Sequence, residues 1–304
     1  MRYDVKSYPK KDRDQALNAL QRLAENDGQL TEPQVAKLAI LQQGVKESRH
    51  LAANEWINRI SYIENDLTQL AIIQRVAFNH FDEFINCLTL AGRFGCLTRL
   101  VRGGDYSGTD SLHIWPLLAA LAIHDLPAIT AYKQRFVPPF LTGHKVTLLA
   151  CNAVYAILGT TAVTDKLRHQ LTNLKDSKYS MAMLRSLAAI INQDMTSFID
   201  NIAIMVKSNR LQQEFSSLEK CYCVNAHGLV NLWRFHTANA PLPPLDFPLP
   251  WQHELHGFFT TGHESIGISF DPLAERELND LPIDSNTLAL IHSLTAHSHR
   301  GDHE

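Results

Sequence analysis

Between Leu112 and Ile123 apolar residues follow one another with only His113 and Pro116 intervening, so a helix here is apolar on every side and belongs in an interior. His124 and Asp125 interrupt the run. Asp125 is a good N-cap, because its side-chain oxygen accepts an N–H of the next turn, and Pro127 falls where a missing donor costs least. The helix that follows carries Ile129, Tyr132 and Phe136 at three- and four-residue steps and stops before Pro138-Pro139. The pattern predicts a buried helical hairpin over 112–136, the centre of the protein.

Similar periodicity runs through most of the chain. Ala16, Leu17, Leu20, Leu23 and Ala24 share a helical face that ends at Asp27-Gly28. Thr31 and Gln34 form a capping box with Pro33 in the first turn. Two helices are predicted over 56–63 and 67–78, a break at Asn79-His80, and a new start at Phe81, Phe84, Ile85 and Leu88. Val146, Leu149, Ala150, Ala153, Val154, Ile157 and Leu158 make an amphipathic stripe closed by Gly159. Leu167, Leu171 and Leu174 continue it more weakly. Residues 181–191 are strongly apolar, and Asp194 caps a partner helix that aligns Phe198, Ile202 and Met205. Residues 221–240 read as one helix, in which Gly228 permits a close neighbour. The proline-rich stretch 241–251 runs extended, Ile266, Ile268 and Phe270 allow a short strand, and a last helix opens at Asp284 or Ser285.

Three segments resemble one another: 75–84, 121–129 and 189–198 each pass from an apolar helix end through a short polar break to a newly capped helix. Their unequal intervals predict stacked hairpins rather than a strict repeat. The expected fold is therefore all-α, packed antiparallel helical hairpins that are repeat-like, with a short irregular C-terminal segment and roughly a dozen helices. Three parts are expected: a helical 1–100, a hairpin array 101–240, and 241–304 with the proline-rich stretch, last helix and polar tail.

With 304 residues, 45% hydrophobic and 19% charged, the chain suits one elongated or two compact domains. Its net charge of −3 offers no basic field, which disfavours nucleic acid and anionic membrane as partners. The N-terminus has no signal pattern, and no apolar run approaches the 18 or so residues of a membrane span, so a cytosolic protein is expected. Five cysteines, an odd number, sit in apolar patterns (Cys87, Cys96, Cys151) or as Cys221-x-Cys223, which fits reduced core thiols.

Candidate chemistry is sparse. His253-Glu-Leu-His256 is one residue short of the spacing that puts two imidazoles on one helical face around zinc. His253, His256 and His263 are read as polar surface residues, with a looser metal site at these three as the alternative, and Cys221 with Cys223 lacks two further ligands at zinc spacing. No nucleophile elbow, Walker loop or dinucleotide fingerprint occurs. No catalytic residue, metal or cofactor is therefore expected. Trp115, Trp233 and Trp251 are read as packing residues. The glycine-rich run 103–110 lacks the lysine of a phosphate loop and offers Asp105, Tyr106 and Asp110 as a protein-contact loop.

LLAALAIHDLPAITAY, SLAAIINQDMTSFIDN and the later VNAHGLVNLWRFHTANAPLPPLDFPLPWQHEL together resemble immunity family forty-nine of bacterial polymorphic toxin systems over about residues 60–260. Where that family's turn commonly reads Gly-Asp, this chain has His124-Asp125 and Gln193-Asp194. The resemblance implies a cytosolic immunity protein that binds a cognate toxin domain tightly and blocks it without doing chemistry. A helical-repeat adaptor and a helical hydrolase that reverses a toxin's modification are the alternatives. The sequence leaves the oligomeric state open.

Overall fold

The computed structural model describes residues 8–25, 53–81, 84–85, 87–89, 91–92, 95, 113–136, 138–213, 215–238 and 241–258. Their regular structure is helical, with no strand among them, so the protein is all-α. The chain divides into two compact units, one of residues 7–103 with 265–304 and the other of 104–264 with 1–6.

In the first unit α1 (Lys10–Glu25) packs against α2 (Ala53–Phe78). Ala16 and Leu20 of α1 are buried, as are Leu67, Leu70, Ala71, Ile73 and Val76 of α2. α2 is one continuous helix where the sequence predicted two. The polar run Glu64-Asn-Asp66 contains no glycine or proline, and Thr68 Oγ1 donates to the Glu64 carbonyl inside the helix, so nothing breaks it. The break does come at Asn79, which adopts a left-handed φ of 58°, and its side chain accepts from Arg75. Helical residues follow, with Phe84, Ile85, Cys87, Leu88 and Ala91 buried.

The second unit contains α3 (Ile114–Ala122), α4 (Leu126–Arg135), α5 (Lys145–Ile157), α6 (Asp165–Asn173), α7 (Lys178–Asn192), α8 (Met195–Asn209), α9 (Val224–His236) and the short α10 (His253–Phe258). Each of four starts is set by a side chain: Asp125 accepts from the Ala128 amide, Thr164 from Leu167, Ser177 from Ser180 and Asp194 from Ser197. Helix ends are equally defined. At His124 and Gln193 the chain turns left-handed (φ 57° and 54°), and the next amide reaches back to the last turn, Asp125 to the Ala120 carbonyl and Asp194 to that of Ala189. The same closure at Gly159 (φ 81°) ends α5. Thus His124-Asp125 and Gln193-Asp194 each hold a helix stop and a helix start in two residues.

The predicted hairpin 112–136 is α3 and α4, but the centre of the unit is α3 with α9 rather than α3 with α4. α9 packs on α3, α5, α7 and α8, and its residues from Asn225 to Trp233 are all buried. α4 instead keeps Leu126, Thr130 and Gln134 outside. Gly228 explains the intimacy of α3 and α9: a Cβ there would lie 2.4 Å from the Leu118 carbonyl oxygen. A second correction concerns 221–223, which is not part of α9. Glu219–Cys221 is a single 3-10 turn, and the Cys223 amide donates to the Pro250 carbonyl, so the proline-rich stretch holds this segment outside the helix. Trp115 is only half-buried, whereas Trp233 and Trp251 are core residues. Residues 241–248 have no regular structure, as the sequence predicts, and Leu245 and Trp251 anchor the stretch inward. The Thr31 cap, the 103–110 run, the Ile266 strand and the helix at Asp284 lie outside the described residues.

Candidate functional site

Three polar clusters are built inside the second unit. In the first, His113 at the head of α3 meets Cys151 from the middle of α5, with Nε2 3.4 Å from Sγ. The imidazole stacks on Phe136 at 4.0 Å between centroids, faces Tyr132, and takes the ring edges of Phe140 and Tyr155. A thiol within reach of an imidazole is the arrangement of a cysteine nucleophile and its base. Here His113 is 1% and Cys151 0% exposed, so four aromatic rings stand where a substrate would enter. The pair is a core contact. No local pattern marks it, because 38 residues separate its members.

The second cluster joins α7 to α9. Asn225 Nδ2 donates to the Tyr179 hydroxyl at 3.0 Å, and burial raises the pKa of that phenol well above its ordinary value. Cys223 lies beside them, and burial pushes its thiol up to about 12. Both groups are neutral at pH 7, the opposite of an activated nucleophile. Cys221 turns elsewhere, with Sγ 3.3 Å from the Ser217 carbonyl. No three His, Cys, Asp or Glu side chains among the described residues are grouped to hold a metal ion.

The third cluster fastens the proline-rich stretch. His227 of α9 stacks on Trp251 at 3.8 Å and on Tyr222 at 5.7 Å, and its Nε2 accepts the Gln252 amide at 3.1 Å. An accepting Nε2 carries no proton, which places the ring proton on Nδ1. His253 faces the same stretch, with Nε2 3.0 Å from the Phe247 carbonyl and 3.6 Å from an Asp246 carboxylate oxygen. His263 lies outside the described residues.

Asn231 of α9 donates to the carbonyls of Leu121 (2.8 Å) and Ala122 (3.1 Å), satisfying the end of α3 from another helix. Arg234 Nη1 donates to the side-chain oxygen Oδ1 of Asn231 at 3.1 Å, which sets a positive charge beside the negative end of α3. Partial burial lowers the pKa of the neighbouring His124, and the charge of Arg234 lowers it further. Next to this polar tie Leu126 is 46% and Phe235 41% exposed, and Lys133 Nζ stands 5.6 Å from the Phe235 ring centroid. Leu141 and Leu211 are large exposed apolar residues elsewhere on the unit.

Asp105, Tyr106 and Asp110, the contact residues expected from sequence, lie outside the described residues. The approach of Lys133 to Phe235 had no local signal, since the two residues lie on different helices far apart in the chain. Comparison with protein-family models, with curated proteins and with solved structures finds no match for this chain. No helix among the described residues is long and apolar enough to cross a membrane.

Proposed function

We propose that this protein is an immunity protein that neutralises a cognate bacterial toxin domain by tight, stoichiometric binding. One observation carries the reading: the clustered reactive groups of the second unit, His113 with Cys151, Cys223, and His227, are buried, while large apolar side chains such as Leu126, Phe235 and Leu141 stand outside. That division suits a protein that binds rather than one that transforms. The sequence resemblance to immunity family forty-nine points the same way. Helices tied at their ends by side-chain caps meet most of their ordering cost on folding, which favours affinity. Protection of a cell requires almost no free toxin, so a dissociation constant of about 1 nM or below is the expected scale, about −12 kcal/mol.

The test is co-purification with the product of the neighbouring gene, followed by titration of protein against toxin. Protection that reaches completion at one equivalent supports sequestration. Survival with this protein far below the toxin overturns it and favours enzymatic reversal of the toxin's modification.

A further inference from the structure

We infer that the proline-rich stretch 241–252 is an acid-released strap, closed on α9 while the His227 imidazole is neutral and lifted when that ring takes up a proton. The inference goes beyond the toxin-neutralising reading and stands without it. Residues 241–248 have no regular structure, yet Leu245, Trp251 and Gln252 are buried, so individual side chains and amides hold the stretch down. The Cys223 amide donates to the Pro250 carbonyl at 3.3 Å, and the Gln252 amide donates to His227 Nε2 at 3.1 Å. His227 also carries the Trp251 ring at 3.8 Å, and Phe247 stands T-shaped to that indole at 5.3 Å. Two of these ties meet on one imidazole, which is 2% exposed.

Protonation is incompatible with this contact. An imidazolium donates from both nitrogens, so the cation would set two N–H groups against each other in a buried place. With the strap lifted the ring meets water and titrates near the ordinary value of about 6.5. A proton bound by the open state alone fixes the sign: closure is fully favoured above about pH 6.5, and each unit below it raises the open-to-closed ratio by up to about tenfold. The helices packed on α9 bring no charge to the ring. α3 has no charged residue, and Lys145 of α5, Lys178 and Arg185 of α7, and Asp200 and Lys207 of α8 are all exposed. The titratable groups of the neighbourhood are Tyr222 on the second face of the ring at 5.7 Å, Cys223 one turn back, Tyr179 of α7, exposed Glu219 with Lys220, and His253 with Glu254 at the start of α10. Arg234 and His236 follow about two turns further along α9. His253 works in the opposite sense, because its Nε2 faces the Phe247 carbonyl and the Asp246 carboxylate, contacts that a protonated ring keeps.

Amide hydrogen exchange of the full-length protein, followed residue by residue by NMR from pH 8 to pH 4, supplies the test. Protection of the Gln252 and Cys223 amides, taken against the intrinsic rate at each pH, is expected to hold level down to about pH 6.5 and then to fall by up to about tenfold per unit. Amides inside α9, from Leu229 to Trp233, are expected to keep theirs. His227→Gln, whose side-chain oxygen accepts the Gln252 amide without titrating, is expected to level the profile, and His253→Gln is expected to leave the fall in place. Level protection of Gln252 and Cys223 down to pH 4 in the unaltered protein overturns the strap. So does a fall that the α9 amides share, because acid then unfolds the whole unit. A fall that survives in folded His227→Gln, or that His253→Gln abolishes, overturns the role of His227. The imidazole nitrogens of the unaltered protein give a reading that needs no variant: a His227 ring that stays neutral while protection falls overturns the inference as well.

Discussion

Two kinds of residue hold local information that reaches the whole unit. Gln193 ends α7 with φ 54°, a conformation that costs an L-residue roughly 1–2 kcal/mol, whereas glycine's entropic penalty is roughly 0.5–1 kcal/mol. Gln193→Gly is therefore expected to stabilise the protein by about 0.5–1 kcal/mol, read as a higher urea midpoint; a lower midpoint refutes the strain. Asp194 beside it accepts from the Ser197 hydroxyl at 2.6 Å and the Ser197 amide at 3.0 Å, and these bonds hold its pKa below the ordinary carboxylate value. A depressed folded pKa gives stability that is fully present above about pH 4 and is lost as pH falls through the lowered value. Asp194→Asn, which keeps the capping oxygen, is expected to flatten the acid limb of a stability profile measured from pH 6 to pH 2. An unchanged limb would assign the acid sensitivity to other carboxylates.

Among the elements, α3 and α9 make the decisive contact. Gly228→Ala brings helix propensity worth roughly 1 kcal/mol, yet its methyl would meet the Leu118 carbonyl, a backbone atom that cannot move aside alone. Overpacking of that kind costs typically 1–3 kcal/mol, so the clash wins and the melting temperature is expected to fall. A rise would show that the helices separate freely. The glycine was visible in the sequence as a break in an apolar helix, and its use as a close approach followed from that. Asn231 was not. Its amide caps α3 from more than a hundred residues away in the chain, and an asparagine in an apolar helix carries no mark of which carbonyl it serves.

At the scale of the molecule, the buried thiols report on cooperativity. Cys151 and Cys223 are sealed within one packed unit, and the Cys223 thiol remains protonated well above pH 8. Alkylation by iodoacetamide at pH 8 is expected to reach both only through unfolding of the unit, at matching rates that denaturant increases together. Labelling of Cys223 alone without denaturant would show instead that the proline-rich stretch and its Trp251–His227 stack open independently.

The residues alone determined most of the helices and where they begin and end. Apolar spacing, Asp125 and Asp194 as caps, Gly159 as a stop and the prolines after 240 act within a few neighbours, so their effect is written locally. Tertiary structure decided which helices meet. It made α9, rather than α4, the central partner of α3, kept 53–78 as one helix, drew Cys221 and Cys223 out of α9, and closed the His113–Cys151 pair inside aromatic rings. It also brought Lys133 Nζ to 5.6 Å from the Phe235 ring centroid. These outcomes depend on side-chain volume and on carbonyls and amides satisfied across long separations. Such complementarity exists only between folded surfaces, and no window of the sequence contains both sides of it.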